Sequence, residues 1–273
     1  MGTEQTPSPV ALAALAVELA TGAAKQILAL RDSLAGAELE VDSKSTATDL
    51  VTSADTASER WLVKRILAAR PHDGVVGEEG ADRPGSSGVR WVVDPIDGTV
   101  NFVLGLPFYA VSVAAEHGGT VVAGAVCNVE SGEVFHAAQG HGAYLGDRRL
   151  HGPRQVPLAR AVIGTGFGYD AARRSRQIAV VAELLPQIAD IRRLGAASLD
   201  LCSVAAGRLD GYFEAGLNHW DYAAGALIAA EAGCLVGGLR AREPSSQITV
   251  AAGPAVYSEL VAVLEGLDAD AVL

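Results

Sequence analysis

The sequence predicts an α+β fold, a layered sandwich of sheets and helices, and three observations carry that prediction. Apolar residues recur at helical spacing near the N-terminus, short Gly-bounded apolar runs fill the middle of the chain, and helix and strand patterns alternate after Arg160. The chain has 273 residues, 49% of them hydrophobic and 19% charged, which is enough apolar material for a large core and argues against disorder. Aromatic residues make up only 5%, so that core must be built mostly of Ala, Val and Leu.

From Pro9 to Leu34, Leu12, Leu15, Leu19, Ile27 and Leu30 recur on one face, which predicts an amphipathic helix with Pro at its start. Residues 1–8 read as a loose tail. A second helix is predicted from Asp55 to Arg70, with Trp61, Leu62, Ile66 and Leu67 on its apolar face. The runs VRWVV, YAVSVAAEH, VVAGAVCNV and EVFHAA then read as consecutive strands, with HGGT and ESGE as hairpin turns. Residues 81–88 and 146–157 read as surface loops. Later strands are expected at Ala161–Thr165, Asp190–Leu194, Gly211–Glu214 and Gln247–Ala252. Helices are expected at Ala171–Ile188, Ala196–Ala206, Tyr222–Ala232 and Ala255–Leu267, the third ending at Gly233. No repeat or low-complexity linker divides the chain. We expect one compact unit with an N-terminal α+β half over 9–155 and a C-terminal α/β half over 156–273.

The formal net charge is −11 and no basic block occurs, which disfavours nucleic acid as the main partner. Cys127, Cys202 and Cys234 lack metal-ligand spacing and read as reduced, buried thiols. The N-terminus lacks a basic leader, and Glu18 and Lys25 interrupt its apolar stretch, so the expectation is a cytoplasmic protein with no membrane partner.

The chemistry centres on DPIDGTVNF (Asp94 to Phe102), which follows the VRWVV strand. Pro95 stiffens the turn, so Asp94, Asp97 and the Ile96 carbonyl can face one point, a donor set suited to a hard cation. Gly98 and Thr99 offer backbone N–H groups to an anion if a helix starts there. The alternative is an Asp N-cap with an incidental neighbour, which leaves Asp94 as an unpaired charge at the end of an apolar strand. Three further acidic stretches are ordinary when read singly. Glu78-Glu79 could be surface acids after a strand. Asp221 could be a first-turn partner of a helix dipole. In DLVTSAD (Asp49 to Asp55), Thr52 or Ser53 could cap the second helix. Together they suggest a metal-dependent site for an anionic, phosphate-bearing ligand. Spacing alone does not bring them together.

In order and spacing, KSTATDLVTSAD, GEE, DPIDGTVNF, the GAASLDL stretch, YFEAG and WDYAAGALIAAEAG resemble the motifs of the inositol monophosphatase family, over residues 9 to about 265. The resemblance implies a five-layer αβαβα sandwich, usually a homodimer, and Mg2+-dependent, often Li+-inhibited hydrolysis of a phosphate monoester. It implies that Glu78, Asp94 and the Ile96 carbonyl bind one Mg2+ and that Asp94, Asp97 and Asp221 bind a second, with Glu78 also helping to hold a weaker third. Thr99, paired with Asp55, would activate the attacking water alongside Glu78. Backbone groups of Gly98 and Thr99 would hold the phosphate. Glu214 and the Gly195–Ala196 backbone, with Asp97 and Asp221, would meet the rest of the substrate. Lys44 and Glu79 would lie close behind the site.

Metals that neutralise phosphate oxygens and acidify water remove the need for a basic pocket, which accommodates a −11 protein with an anionic substrate. The resemblance implies direct in-line attack with no phosphoenzyme, so Ser198 and Thr165 are not expected as nucleophiles. Ala196 stands where many relatives carry Ser or Thr, which leaves the polyol preference open. GTGFGY (Gly164 to Tyr169) is not a dinucleotide fingerprint, because Tyr169 stands where the last Gly should be. His219 reads as a packed or solvent-facing residue. The expected substrate is inositol-1-phosphate. The alternatives are fructose-1,6-bisphosphate, histidinol phosphate or 3′-phosphoadenosine 5′-phosphate on the same fold, or a regulatory interaction protein.

Overall fold

A computed structural model describes residues 8–33, 41–43 and 50–272. Lys44 and the expected tail at 1–7 lie outside the described residues. In chain order the elements are α1 (Pro9–Ser33), β1 (Val41–Ser43), β2 (Leu50–Thr52), α2 (Ser53–Ala69), β3 (Gly74–Gly77), β4 (Asp82–Arg83), β5 (Val89–Asp97) and α3 (Thr99–Leu104). There follow β6 (Ala110–His117), β7 (Thr120–Asn128), β8 (Val134–Ala138), β9 (Gly142–Leu145), β10 (Arg148–Arg149), β11 (Val162–Thr165), α4 (Ala171–Leu184) and β12 (Asp190–Arg192). The chain closes with α5 (Ala197–Ala205), β13 (Gly211–Glu214), α6 (His219–Glu231), β14 (Leu235–Gly237), β15 (Thr249–Ala252) and α7 (Pro254–Gly266).

Two sheets organise these elements. The larger runs β10-β9-β8-β7-β6-β5-β3-β4 and is antiparallel except for β3 alongside β5. The smaller runs β12-β11-β13-β15-β14, parallel on its β11 side and antiparallel on its β15 side. Strand alternation assigns the layers. On β5, Trp91 and Val93 face α1 and α2, whereas Val92 faces α5 and α6. On the small sheet, Tyr212 and Ala251 face α5 and α6, whereas Phe213, Val250 and Ala252 face α4 and α7. The result is the five-layer αβαβα sandwich. Helices α5 and α6, covered by a sheet on each side, are apolar nearly all round, as a doubly buried helix must be.

Small residues set the spacing of the middle layer. A Cβ on Gly225 would come within 2.8 Å of Leu201 Cβ, and one on Gly124 within 3.0 Å of the Ala224 backbone. An Ala-rich helix therefore lies close enough to both neighbours to fill the layer with few aromatics. Cys127, Cys202 and Cys234 are buried and unbridged. Helix α1 is long and apolar enough to cross a membrane, and here Leu12, Ala16, Leu19, Ala20, Ala23 and Ile27 are buried in the core under α2 and the large sheet.

Three differences from the expected elements have plain causes. The loops at 81–88 and 146–157 each hold a two-residue strand, β4 and β10, at opposite edges of the large sheet. Two residues are too few to show alternation. The helix expected to Ile188 ends at Leu184 and tightens into a 3-10 turn over Leu185–Gln187, where Pro186 has no N–H to continue it. Helix α6 begins at His219, three residues earlier than the apolar run suggests, because His219 and Asp221 interrupt that run while Trp220 and Asp221 line a cavity.

Candidate active site

The site starts from an irregularity in β5. Asp94 pairs with Ser112 and Asp97 with Ala110, so three steps along β5 oppose two along β6. Pro95 cannot donate to a ladder, and a bulge accommodates it. The extra residue reverses the alternation: Ile96 packs on the α1 side, while Asp97 reaches α5 on the other. Asp94 already faced that way by parity with Val92, so the bulge puts both carboxylates on one side of the sheet.

Asp97 lies at the start of α5. Its oxygens accept from the backbone N–H of Ala197 at 3.2 Å and of Ser198 at 2.7 Å, and from the Ser198 hydroxyl at 2.5 Å. Thus the N-terminus of α5 caps a carboxylate about a hundred residues earlier in the chain. Gly98 follows with φ +91°, and a Cβ there would meet Phe108 O at 3.1 Å and Ala196 Cβ at 3.2 Å. Only glycine accepts that conformation and crowding without strain. Helix α3 then starts at Thr99, whose hydroxyl donates to the Ile96 carbonyl at 3.1 Å. Asn101 fastens the segment to the stretch before α5, its side-chain amide donating to Leu194 O at 2.8 Å.

Glu78 comes from the turn after β3, and Asp221 from the first turn of α6. Asp221 Oδ2 accepts from the Asn218 N–H at 2.7 Å, so the ordinary helix-start role is real and coexists with a place on the cavity wall. Glu214 ends β13. The Tyr212 hydroxyl donates to it at 2.6 Å, and a Cβ on Gly166 would fall 1.9 Å from its Oε2. Gly166 is thus what leaves room for Glu214.

These groups surround one cavity of about 510 Å3. Glu78, Asp94, Ile96, Asp97, Gly98, Thr99, Gly195, Glu214 and Asp221 line it. Asp55 and Ala196 do not. Both are about 1% exposed, Asp55 in the first turn of α2 and Ala196 at the start of α5. Glu79 is also off the wall, on the turn beside Glu78. Sequence reasoning missed the opposite wall, Gly166–Asp170 with Arg173 and Arg193. The signal was present in GTGFGY, whose glycines fit this wall: a Cβ on Gly168 would press on Arg173 Cδ at 2.7 Å. Through Arg173 and Arg193, cationic side chains also reach the cavity, although metals would remove the need for a basic pocket. His219 points elsewhere and pairs with Glu116 at 2.5 Å, which Arg90 also binds.

Burial dominates the electrostatics. It holds the Asp94 carboxyl well above its ordinary range, reinforced by the charges of Glu78, Asp97, Asp221 and Asp55. Asp221 is raised in the same way by burial and then by Asp97 and Glu78. Asp97 is raised to about 6 by burial, against the Ser198 and Ala197 hydrogen bonds. Glu214 is raised to about 7, with the Tyr212 hydroxyl and Arg193 opposing. Among the described residues, no three His, Cys, Asp or Glu side chains already close on one point as a cation cage. The donor set nevertheless fits a hard divalent ion. It is all oxygen, the acids feel one another, and Asp94 Oδ1 is buried with no hydrogen-bond partner among the described residues.

A model of the Inositol monophosphatase family matches residues 9–267. The chain is 46% identical over 274 residues to the Inositol-1-monophosphatase of Mycobacterium leprae (strain TN), covering 94% of each chain. It is 42% identical over 228 residues to the protein named Nus factor SuhB of Pasteurella multocida (strain Pm70), covering 82% of this chain and 85% of that one. The solved structure of Mycobacterium tuberculosis SuhB superposes with a TM-score of 0.83 at 42% identity, covering 97% of this chain and 99% of that chain.

Proposed function

The chain belongs to the inositol monophosphatase family, and on that premise we propose that it hydrolyses inositol-1-phosphate to inositol and phosphate with Mg2+. The coarser statement, a hydrolase of the inositol monophosphatase type, follows from membership itself. The Mg2+ site in it is supported by the buried Asp94 Oδ1, which has no partner among the described residues, amid the charges of Glu78, Asp97 and Asp221.

In this reading Glu78, Asp94 and the Ile96 carbonyl hold one Mg2+, Asp94, Asp97 and Asp221 hold a second, and Glu78 assists a weaker third. Bound Mg2+ would supply a more acidic water and charge neutralisation on the phosphate. The Gly98 and Thr99 N–H groups receive phosphate oxygens at the start of α3. The Thr99 hydroxyl has one proton, here given to Ile96 O. To act with Asp55 it must exchange that acceptor for the Asp55 carboxylate. The Thr99 lone pairs stay free to accept the water's proton in either arrangement, and the exchange clears Ile96 O of the hydroxyl that would share it with a cation. Glu214 accepts from polyol hydroxyls, with the Gly195 backbone beside it. Arg173 and Arg193 face the substrate's anionic charge from the opposite wall.

The test is phosphate release across inositol-1-phosphate, fructose-1,6-bisphosphate, histidinol phosphate and 3′-phosphoadenosine 5′-phosphate, each with Mg2+. Inositol-1-phosphate should have the highest kcat/KM; if it is the poorest substrate, the assignment falls. A homodimer is proposed from the family alone, and sedimentation velocity at micromolar concentration checks it. One finding favours a second reading, a regulatory interaction protein on this fold: a relative bears the name Nus factor SuhB. An Asp94→Asn protein that lost turnover yet kept a cellular effect would support it.

A further inference from the structure

The turn that presents Glu78 is held from below, and we propose that Glu59 sets it. Glu59 is a positioning residue that fixes the Gly77–Ala81 turn so that Glu78 faces the cavity, and it thereby raises the site's affinity for a divalent cation. The inference rests on the metal reading above. Glu59 belongs to α2, is 5% exposed and does not line the cavity. Its two oxygens accept from the backbone N–H of Glu79 at 2.8 Å and of Ala81 at 2.9 Å. The Gly77 N–H closes the turn onto Ala81 O at 2.8 Å, and Gly80 turns it with φ +106°. A Cβ on Gly77 would lie 2.2 Å from Glu59 Oε2, so the glycine makes room for the carboxylate.

Two features separate this from ordinary packing. Burying a carboxylate costs solvation, and here the two backbone N–H groups of the turn offset that cost, so the residue answers to the turn rather than to the core around it. Only a carboxylate offers both N–H groups an acceptor oxygen, whereas glutamine offers one. Furthermore, Asp55, Ser58 and Glu59 stand at i, i+3 and i+4 on one buried face of α2. Ser58 reaches Pro95 O at 3.5 Å, so the same face touches the turn of Glu78 and the bulge between Asp94 and Asp97. Groups that orient metal-binding side chains from behind typically change metal affinity about 10–100-fold when removed.

The experiment is calorimetric titration of Mg2+ into metal-stripped protein without substrate, for the wild type, Glu59→Gln and Glu78→Gln, with thermal melting in chelator recorded separately. Glu59→Gln should stay folded and bind Mg2+ about tenfold more weakly. Its turnover should need correspondingly more Mg2+ and return to within about threefold of wild type at saturation. If Glu59→Gln is folded and binds Mg2+ as wild type does, the inference is overturned, whatever its melting temperature. Should it fail to fold, Glu59→Asp, which keeps both oxygens on a shorter stem, carries the same titration with the same two outcomes. If Glu78→Gln also leaves Mg2+ binding unchanged, the metal reading itself falls. A weakened Glu78→Gln beside a silent Glu59→Gln sinks only the role of Glu59.

Discussion

The two walls of the cavity are built on opposite principles. The wall from β3, β5, α3 and α6 carries Glu78, Asp94, Asp97 and Asp221 at strand ends and helix starts, and Asp94 and Asp97 are buried. The wall from Gly166 to Arg173, with Arg193 and Glu214, is largely loop, and its arginines reach solvent. A fixed wall of acids suits an ion and the reacting phosphate, which must be held within tenths of an ångström. The more exposed wall suits the variable part of a substrate.

The difference predicts the size of each defect. Asp94→Asn removes the carboxylate proposed to serve two ions, and kcat/KM should fall about 10^3-fold or more, equivalent to about 4 kcal/mol. In chelator the same variant should melt at a higher temperature than wild type, because a buried carboxylate with an unpartnered oxygen becomes a neutral amide. Steady-state kinetics and melting curves read both, and near-normal turnover would end the metal assignment. Gly98→Ala comes next. It forces a left-handed φ on alanine and a contact of 3.1 Å with Phe108 O, which should cost about 1–3 kcal/mol of stability. Turnover should fall as well, since the Gly98 and Thr99 N–H groups proposed to seat the phosphate move with it. A melting curve like that of wild type would show that the segment relaxes freely.

The acidic wall was the legible one. DPIDGT, GEE and the WD pair are local in sequence, and their donor chemistry can be read from residue types. The physical steps that assemble them could not be read. The reversal of alternation at Pro95 depends on the register with β6. The capping of Asp97 depends on a helix about a hundred residues away in the chain. Glu59 lies outside the apolar set Trp61, Leu62, Ile66 and Leu67 that marks its helix in sequence, and only the fold buries it against a turn. The loop wall was missed because its glycines answer to side chains that only the fold brings against them: Gly166 to Glu214 from a strand remote in sequence, Gly168 to Arg173 across the start of α4.

Glu214→Gln probes that second wall. The Tyr212 hydroxyl bond survives, while acceptor capacity toward polyol hydroxyls is halved. KM for inositol-1-phosphate should rise about tenfold, the loss of one hydrogen bond to a charged group. For p-nitrophenyl phosphate, which has no polyol hydroxyls, KM should stay within about twofold on the same reasoning. Equal losses on both substrates would place Glu214 with the catalytic wall instead.

His219 should give the smallest effect, although it is two residues from Asp221. Its ring meets Glu116 at 2.5 Å and Tyr222 edge-on, and it is absent from the cavity wall. Arg90 also binds Glu116, at 2.7 Å, so removing the imidazole does not leave that buried carboxylate alone. His219→Gln keeps a donor in reach and should cost about 0.5–1.5 kcal/mol of stability, the value of an ordinary hydrogen bond. Turnover should stay within about threefold of wild type, because Asp221 is oriented by the Asn218 N–H rather than by the imidazole. A loss of turnover approaching that of Asp94→Asn would mean that the start of α6 transmits the Glu116 contact to Asp221, and the acidic wall would then extend to the far side of that helix.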